Sequence, residues 1–248
     1  MHRFFVDKEQ IQGDTIEIVG KDTNHIKDVL RLKKDDIIEI SSGGRVYICK
    51  IIKFDNKKVI TKIIKSFQGK HESPIHIALY QGIAKGDKMD YLIQKVTEIG
   101  VKEIYPIITN RTIVKIKNKK KEQSKLDRWR AIAEEAAKQS KRDFIPKVQN
   151  IMSFKEMLDK LEGEKNIIVP YEMEKSISFK DILNNIEGEK INLIIGPEGG
   201  FEREEIQLLK SVGGQSITLG SRILRTETAG LVASTIILYE LGDLGVMK

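Results

Sequence analysis

From Ile75 onward the sequence alternates apolar runs of strand length with segments of helical period, and this alternation constrains the fold more than any other feature. Ile75-His76-Ile77-Ala78-Leu79-Tyr80, then residues 103–108, 166–169, 191–195 and 216–219, read as strands. Met89, Leu92, Ile93, Val96 and Ile99 fall at helical spacing and stop at Gly100, a C-cap signal. Further helices are expected over about 121–141, 179–186, 202–212 and 226–241. Alternation of this kind predicts an α/β fold with a largely parallel sheet covered on both faces. Ligands of such sheets bind beyond the carboxyl ends of the strands, which directs attention to the loops that follow them.

The first 70 residues have a different texture. Asp14–Val19 alternates at period two, as does 36–40 less cleanly, and further apolar runs cover 46–52 and 59–64. Ser41-Ser42-Gly43-Gly44 and Asp55-Asn56-Lys57-Lys58 read as turns between them. One short helix is expected near His25, Ile26, Val29 and Leu30, capped by Asp22 or Thr23. Short strands joined by hairpin turns predict a small β-barrel. Gln68 to Pro74 reads as a linker, dividing 248 residues into 1–72 and 73–248.

Charge is distributed unevenly along the chain. The net charge of +7 resolves into +4 over 1–72, zero over 73–101, +8 over 102–147 and −5 over 148–248. Segregated positive charge, including the lysine run from Lys115 to Lys121, favours an anionic partner such as nucleic acid for the first and third segments. No apolar run approaches the roughly 18 residues of a bilayer span, and the start turns charged too soon for a signal peptide. Cys49 is the only cysteine, and four scattered histidines make no ligand spacing, so neither an intrachain disulfide nor a metal site is expected.

Three strand-end loops qualify for chemistry: Pro170-Tyr171-Glu172, Gly196-Pro197-Glu198-Gly199-Gly200, and Gly220-Ser221-Arg222-Ile223-Leu224-Arg225. The glycine loop lacks the lysine and hydroxyl of a nucleoside triphosphate loop and does not match GxGxxG. Pro197 removes a backbone N–H that an anion would use. Glu198, with Glu202, Glu204 and Glu205 close behind, makes an anionic ligand costly. The loop is therefore either a tight strand–helix connection or a cradle for a ligand that is neutral or cationic at closest approach, such as S-adenosylmethionine. In the last loop Thr226 reads as a helix N-cap and Glu227 as an acidic first-turn residue. Arg225 gains nothing from a positive helix end, so it is expected to meet a substrate anion or a carboxylate.

Taken in order, Met1–Val6, His25 with Val29-Leu30-Arg31, Lys85–Met89, Lys95–Val101, Gln139-Ser140, Ile195–Gly200 and Leu219–Ala229 resemble the RsmE family of SPOUT-class RNA methyltransferases. Lys138 and Lys141 depart from the family pattern, where an acidic and a small residue are common.

The resemblance implies a PUA-like β-barrel RNA-binding domain over 1–72 and a SPOUT methyltransferase domain over 73–248 with a deep trefoil knot. It also implies a cytoplasmic homodimer, S-adenosylmethionine as donor, and methylation of a uridine at N3 in small-subunit (16S) ribosomal RNA. Gly196, Gly199, Gly200, Leu219, Gly220 and Ile223 are then expected to hold the donor through their backbone, with Pro197, Glu198, Leu224 and Thr228 around it. Arg225 and Glu227 are the expected catalytic pair, Arg225 on a uracil oxygen and Glu227 as base. Arg3, Arg31, Lys33, Lys34, Arg128 and Arg142 are the expected RNA contacts, while Trp129 is expected in the core. The alternative is an RNA-binding assembly factor whose methyltransferase domain is inactive, which labelled S-adenosylmethionine would discriminate.

Overall fold

The N-terminal strands form because apolar residues alternate with polar ones and only one face can be buried. In the computed structural model, which describes residues 1–55, 57–114 and 118–246, these strands are β1 (Arg3–Phe5), β2 (Ile11–Gln12), β3 (Thr15–Val19), β4 (Ile37–Ser42), β5 (Arg45–Asp55) and β6 (Lys58–Gln68). They form one sheet in the order β1-β4-β5-β6-β3-β2, parallel between β1 and β4 and antiparallel elsewhere. Phe4, Ile16, Ile18, Ile38, Ile40 and Ile51 are buried in its core. The β4–β5 hairpin turns on Gly43 and Gly44 at φ 56° and 81°, the pair of positive angles that a two-residue hairpin turn demands. The second expected turn includes Asn56, which lies outside the described residues.

The expected short helix is present as α1 (Lys21–Asn24) followed by a π-helical turn, His25–Val29. Its cap differs from expectation: Gly20 holds that place, while Thr23 Oγ1 donates to the Ile18 carbonyl at 3.1 Å and Asp22 accepts from Lys138 Nζ at 2.7 Å.

Asp22 and Lys138 meet because residues Ala137–Ile145 pack with Met1–Glu72 as one compact unit. Arg3, 4% exposed, reaches Glu39 at 3.2 Å, Asp143 at 3.0 Å and the carbonyls of Lys141 and Arg142. Arg142, 2% exposed, pairs with Glu72 at 2.6 Å. Of the two lysines that depart from the family pattern, Lys141 joins this network through Glu39, 2.8 Å from its Nζ, while Lys138 pairs with Asp22.

The second unit holds Ser73–Ala136 and Pro146–Lys248. Its strands are β7 (His76–Gly82), β8 (Glu103–Ile108), β9 (Lys147–Val148), β10 (Met152–Ser153), β11 (Ile167–Pro170), β12 (Lys190–Ile195) and β13 (Gly214–Ile217). All pair in parallel, in the order β10-β8-β7-β12-β11-β13, with β9 also on β8. The helices are α2 (Lys88–Ile99), α3 (Lys119–Gln139, its last turn in the first unit), α4 (Phe154–Leu161), α5 (Phe179–Leu183), α6 (Arg203–Ser211) and α7 (Thr226–Glu240).

Period-two alternation divides the strand side chains between two cores. Ile77, Leu79, Ile168, Leu193 and Ile195 face one, which includes Met89, Leu92, Trp129 and Ile237. Ala78, Tyr80, Ile167, Val169 and Ile194 face the other, with Met157, Leu161, Ile206 and Leu209. Burial on both faces is why these strands read as continuous apolar runs. Trp129 is core, as expected, and its indole N–H donates to Asp90 at 3.1 Å. Gly100 caps α2 in the left-handed region.

Candidate functional site

Because β12, β11 and β13 are neighbours in a parallel sheet, their carboxyl-end loops emerge side by side. Together they line a cleft of about 490 Å³, within the range of small-ligand sites. Gly196, Pro197, Glu198, Gly199 and Gly200 come from the loop after β12, and Leu219, Gly220, Ile223, Leu224 and Arg225 from the loop after β13. Tyr171 and Glu172 close a third side. Lys88 and Phe201 also line the cleft, although the motif reading did not assign either to the donor. Thr228 and Glu227 stand outside the lining.

The glycine loop is clamped from three directions. The Thr226 hydroxyl donates to the Gly196 carbonyl at 2.5 Å, and Gln81 Nε2 donates to that hydroxyl at 2.7 Å. Thr226 is therefore the first residue of α7 rather than its cap, which is Arg225, and the hydroxyl is used across the fold. Gly82 must lack a side chain because its Cβ would fall 2.3 Å from Pro197 N. Gly200 sits at φ 67°, and a Cβ there would meet the Glu172 carboxylate at 2.7 Å. A Gly200→Ala variant combines a strained backbone with that collision. It is expected to lose donor binding by at least tenfold, with little change in the melting of the first unit. Calorimetric titration with S-adenosylmethionine measures the loss, and wild-type affinity would contradict the close-approach role.

The acidity of this region serves several purposes. Glu205 accepts from the backbone N–H groups of Glu202 and Asn110 at 2.8 and 2.9 Å, closing the start of α6 and holding the loop after β8. The Glu205 carboxylate is therefore structural, and of the four glutamates noted in the sequence only Glu198 lines the cleft. Glu198 Oε1 accepts from the Lys85 N–H at 2.8 Å and the Lys88 ammonium at 3.2 Å. Its Oε2 is buried and has no hydrogen-bond partner among the described residues. Burial pushes the Glu198 carboxyl up, but the Lys85 N–H and Lys88 outweigh it and hold the group below its ordinary range. It is thus an anion with one unsatisfied oxygen at the cleft wall. Arg225, also on the lining, is exposed, and its guanidinium makes no hydrogen bond or ion pair among the described residues.

The expected RNA contacts separate in the structure. Arg31, Lys33, Lys34 and Arg128 are exposed, Arg128 against Asp87 and Asp90. Arg3 and Arg142 are buried in the ion pairs described above, which corrects their assignment: neither guanidinium is presented to a phosphate. Glu227 is a half-buried residue of the first turn of α7 outside the cleft lining, and its Oε2 is buried without a hydrogen-bond partner among the described residues. The lysine run survives only in part, since Lys115 and Lys117 lie outside the described residues.

A parallel α/β unit with a glycine-clamped cleft at its strand ends, in a chain that also carries a small β-sheet unit, defines a two-unit ligand-binding enzyme. Family models place that class further: one described as "RNA methyltransferase domain" matches residues 71–238, and one described as "RNA methyltransferase PUA domain" matches 18–64. Ribosomal RNA small subunit methyltransferase E of Bacillus subtilis is 34% identical, over 97% of both chains. A crystal structure of the Neisseria gonorrhoeae protein of the same name, bound to S-adenosyl methionine, superposes with a TM-score of 0.88 at 32% identity, covering 98% of this chain and 99% of that one. A putative methyltransferase of Legionella pneumophila, in complex with SAM, gives 0.87 at 31% identity over 98% of each. The chain belongs to the RNA methyltransferase family, among the proteins called ribosomal RNA small subunit methyltransferase E.

Proposed function

We infer that this protein transfers a methyl group from S-adenosylmethionine to N3 of a uridine in small-subunit ribosomal RNA. The observation that carries the reading is the cleft itself, which is lined both by an ionised Glu198 with an unsatisfied oxygen and by Arg225 with an unpaired guanidinium. Its residues fit the donor: a cradle that a Cβ at Gly200 would fill, apolar Ile223 and Leu224, and a carboxylate compatible with a cationic sulfur. Backbone groups of Gly196, Gly199, Gly200, Leu219, Gly220 and Ile223 would hold it, and when bound it supplies an electrophilic methyl group.

Uracil N3 carries a proton at neutral pH, and negative charge develops on the ring as that proton leaves. Arg225 donates to a uracil carbonyl oxygen and stabilises that charge; arginine stays protonated, so it is not the base. Glu227, close to Arg225 in the chain and with its Oε2 buried and unpartnered among the described residues, accepts the N3 proton. The exposed cations Arg31, Lys33, Lys34 and Arg128 contact phosphates. The reading includes the deep trefoil knot of the SPOUT class. It also includes a homodimer and a cytoplasmic site of action on the small ribosomal subunit. Among the described residues no helix is long and apolar enough to cross a membrane.

The test is mass mapping of methylated nucleosides in small-subunit RNA from cells with and without the gene, followed by restoration with purified protein. A methyl group on uridine N3 that appears only with the protein supports the reading. An unchanged map rejects it.

A further inference from the structure

The buried arginines raise a question about what their network presents to solvent. Arg3 and Arg142 do not contact RNA in this fold, yet they and Asp143 hold the segment 137–145 against the sheet of the first unit. Immediately after that anchor comes Phe144, a large aromatic ring that is 48% exposed. Its position is fixed at both ends. Its backbone N–H donates to Glu72 at 3.3 Å. The far edge of the ring is seated on Gly44, where an added Cβ would lie 2.5 Å from Cζ.

The surroundings of this ring are cationic. Lys8 reaches the same hairpin, its Cε only 3.1 Å from where a Cβ on Gly43 would stand. Arg45, next to Gly44, is exposed, with its guanidinium held by Ser66 Oγ at 3.1 and 3.2 Å. Lys70 and His71 follow on the strand exit and are exposed as well. Two nearby carboxylates are directed inward: Asp143 is 2% exposed and paired with Arg3, and Glu72 is paired with Arg142. An aromatic ring held edge-on by a glycine, with cations around it, suits a ligand that is flat in one part and anionic in another. An unpaired nucleotide has that chemistry: a base to stack on the ring and phosphates for the cations.

We propose that Phe144 is a stacking platform for an unpaired base of the RNA substrate, with Lys8, Arg45 and Lys70 contacting the flanking phosphates. The proposal rests on the RNA-directed reading above and assigns it a contact point in the first unit. The Arg3–Asp143–Arg142 network is then a positioning device, since it sets where the ring stands.

The probe is a single-stranded oligoribonucleotide carrying 2-aminopurine, titrated with the full-length protein, with a duplex of the same sequence as control. Phe144→Ala is expected to weaken single-strand binding roughly 5- to 150-fold and to abolish quenching of the aminopurine. Phe144→Leu should resemble it, Phe144→Tyr should resemble the wild type, and duplex binding should change little. Because the ring is at the surface, melting curves of all three variants should overlay the wild type. Wild-type affinity in Phe144→Ala overturns the platform. Wild-type affinity in Phe144→Leu shows that no aromatic ring is needed to hold the base and also overturns it. Methyl transfer by the wild type is measured in parallel. Loss of transfer with Phe144-dependent binding intact rejects the proposed reaction alone, while transfer with Phe144-independent binding rejects the platform alone.

Discussion

Arg225→Ala is expected to slow single-turnover methyl transfer by roughly 10²- to 10³-fold, the usual loss when one preorganised donor to a developing oxyanion is removed. Affinity for S-adenosylmethionine should stay within about twofold, because the donor cradle is built from backbone and from Glu198 rather than from this guanidinium. Arg225→Lys should recover little of the rate, since a flexible point charge does not reproduce a planar fork. The structural basis is that Arg225 stands at the start of α7 with its guanidinium in no ion pair or hydrogen bond among the described residues, so truncating it exposes no buried partner. A folding defect is therefore not expected, and the kinetic loss can be read directly. Rapid-quench measurement of one turnover checks it, and a rate equal to wild type would remove Arg225 from the chemistry.

The second large effect concerns stability. Asp143→Ala should destabilise the first unit by about 3 kcal/mol, because it removes the 3.0 Å carboxylate partner of the buried Arg3 guanidinium and leaves it Glu39 and two backbone carbonyls. The Asp143 carboxylate also accepts from the His71 N–H at 2.7 Å, so the chain leaving β6 loses its anchor in the same step. For a unit of this size such a loss lowers the melting midpoint by more than about 10 °C. A surface substitution such as Lys33→Ala should move it by about 0.5 kcal/mol or less. If Asp143→Ala melted with the wild type, the network would be a minor contributor and the platform at Phe144 would have to be held by packing alone.

Much of the second unit was legible before any coordinates because its signals are local. Strand 103–108 was read from an apolar run and lies at Glu103–Ile108, and the helix ending at Gly100 was read from spacing and cap together. The helix α4 was missed even though its signal was present: Ser153 and Glu156 form a capping box, with Ser153 Oγ accepting from the Glu156 N–H at 3.2 Å. That pair, followed by apolar Met157 and Leu161, is a helix start legible from residue types alone. The two glycine-bearing loops were also legible, and nine of the ten residues expected around the donor line the cleft, Thr228 being the exception.

The misreadings share one cause, which is that a side chain's partner can lie far away in sequence. Thr226 was read as a cap because residue type and position allow it, but its hydroxyl is 30 residues from the Gly196 carbonyl it serves. Glu205 was read as negative charge facing a ligand, but it closes a helix and holds Asn110, 95 residues upstream. Arg3 and Arg142 read as phosphate contacts because they lie in the two positively charged segments of the chain. Their burial depends on Asp143, 140 residues from Arg3, and on Glu72, 70 residues from Arg142.

By itself the sequence determined the fold class, the two textures, the family and the loops that form the cleft, because periodicity and glycine placement act over a few residues. Only the tertiary structure decided which charges are free. It set Glu198 ionised against Lys88, left Arg225 unpaired, buried Arg3 and Arg142, and brought Phe144 out over Gly44. Charge state and exposure are properties of what folding brings together across the chain, and no local pattern records them.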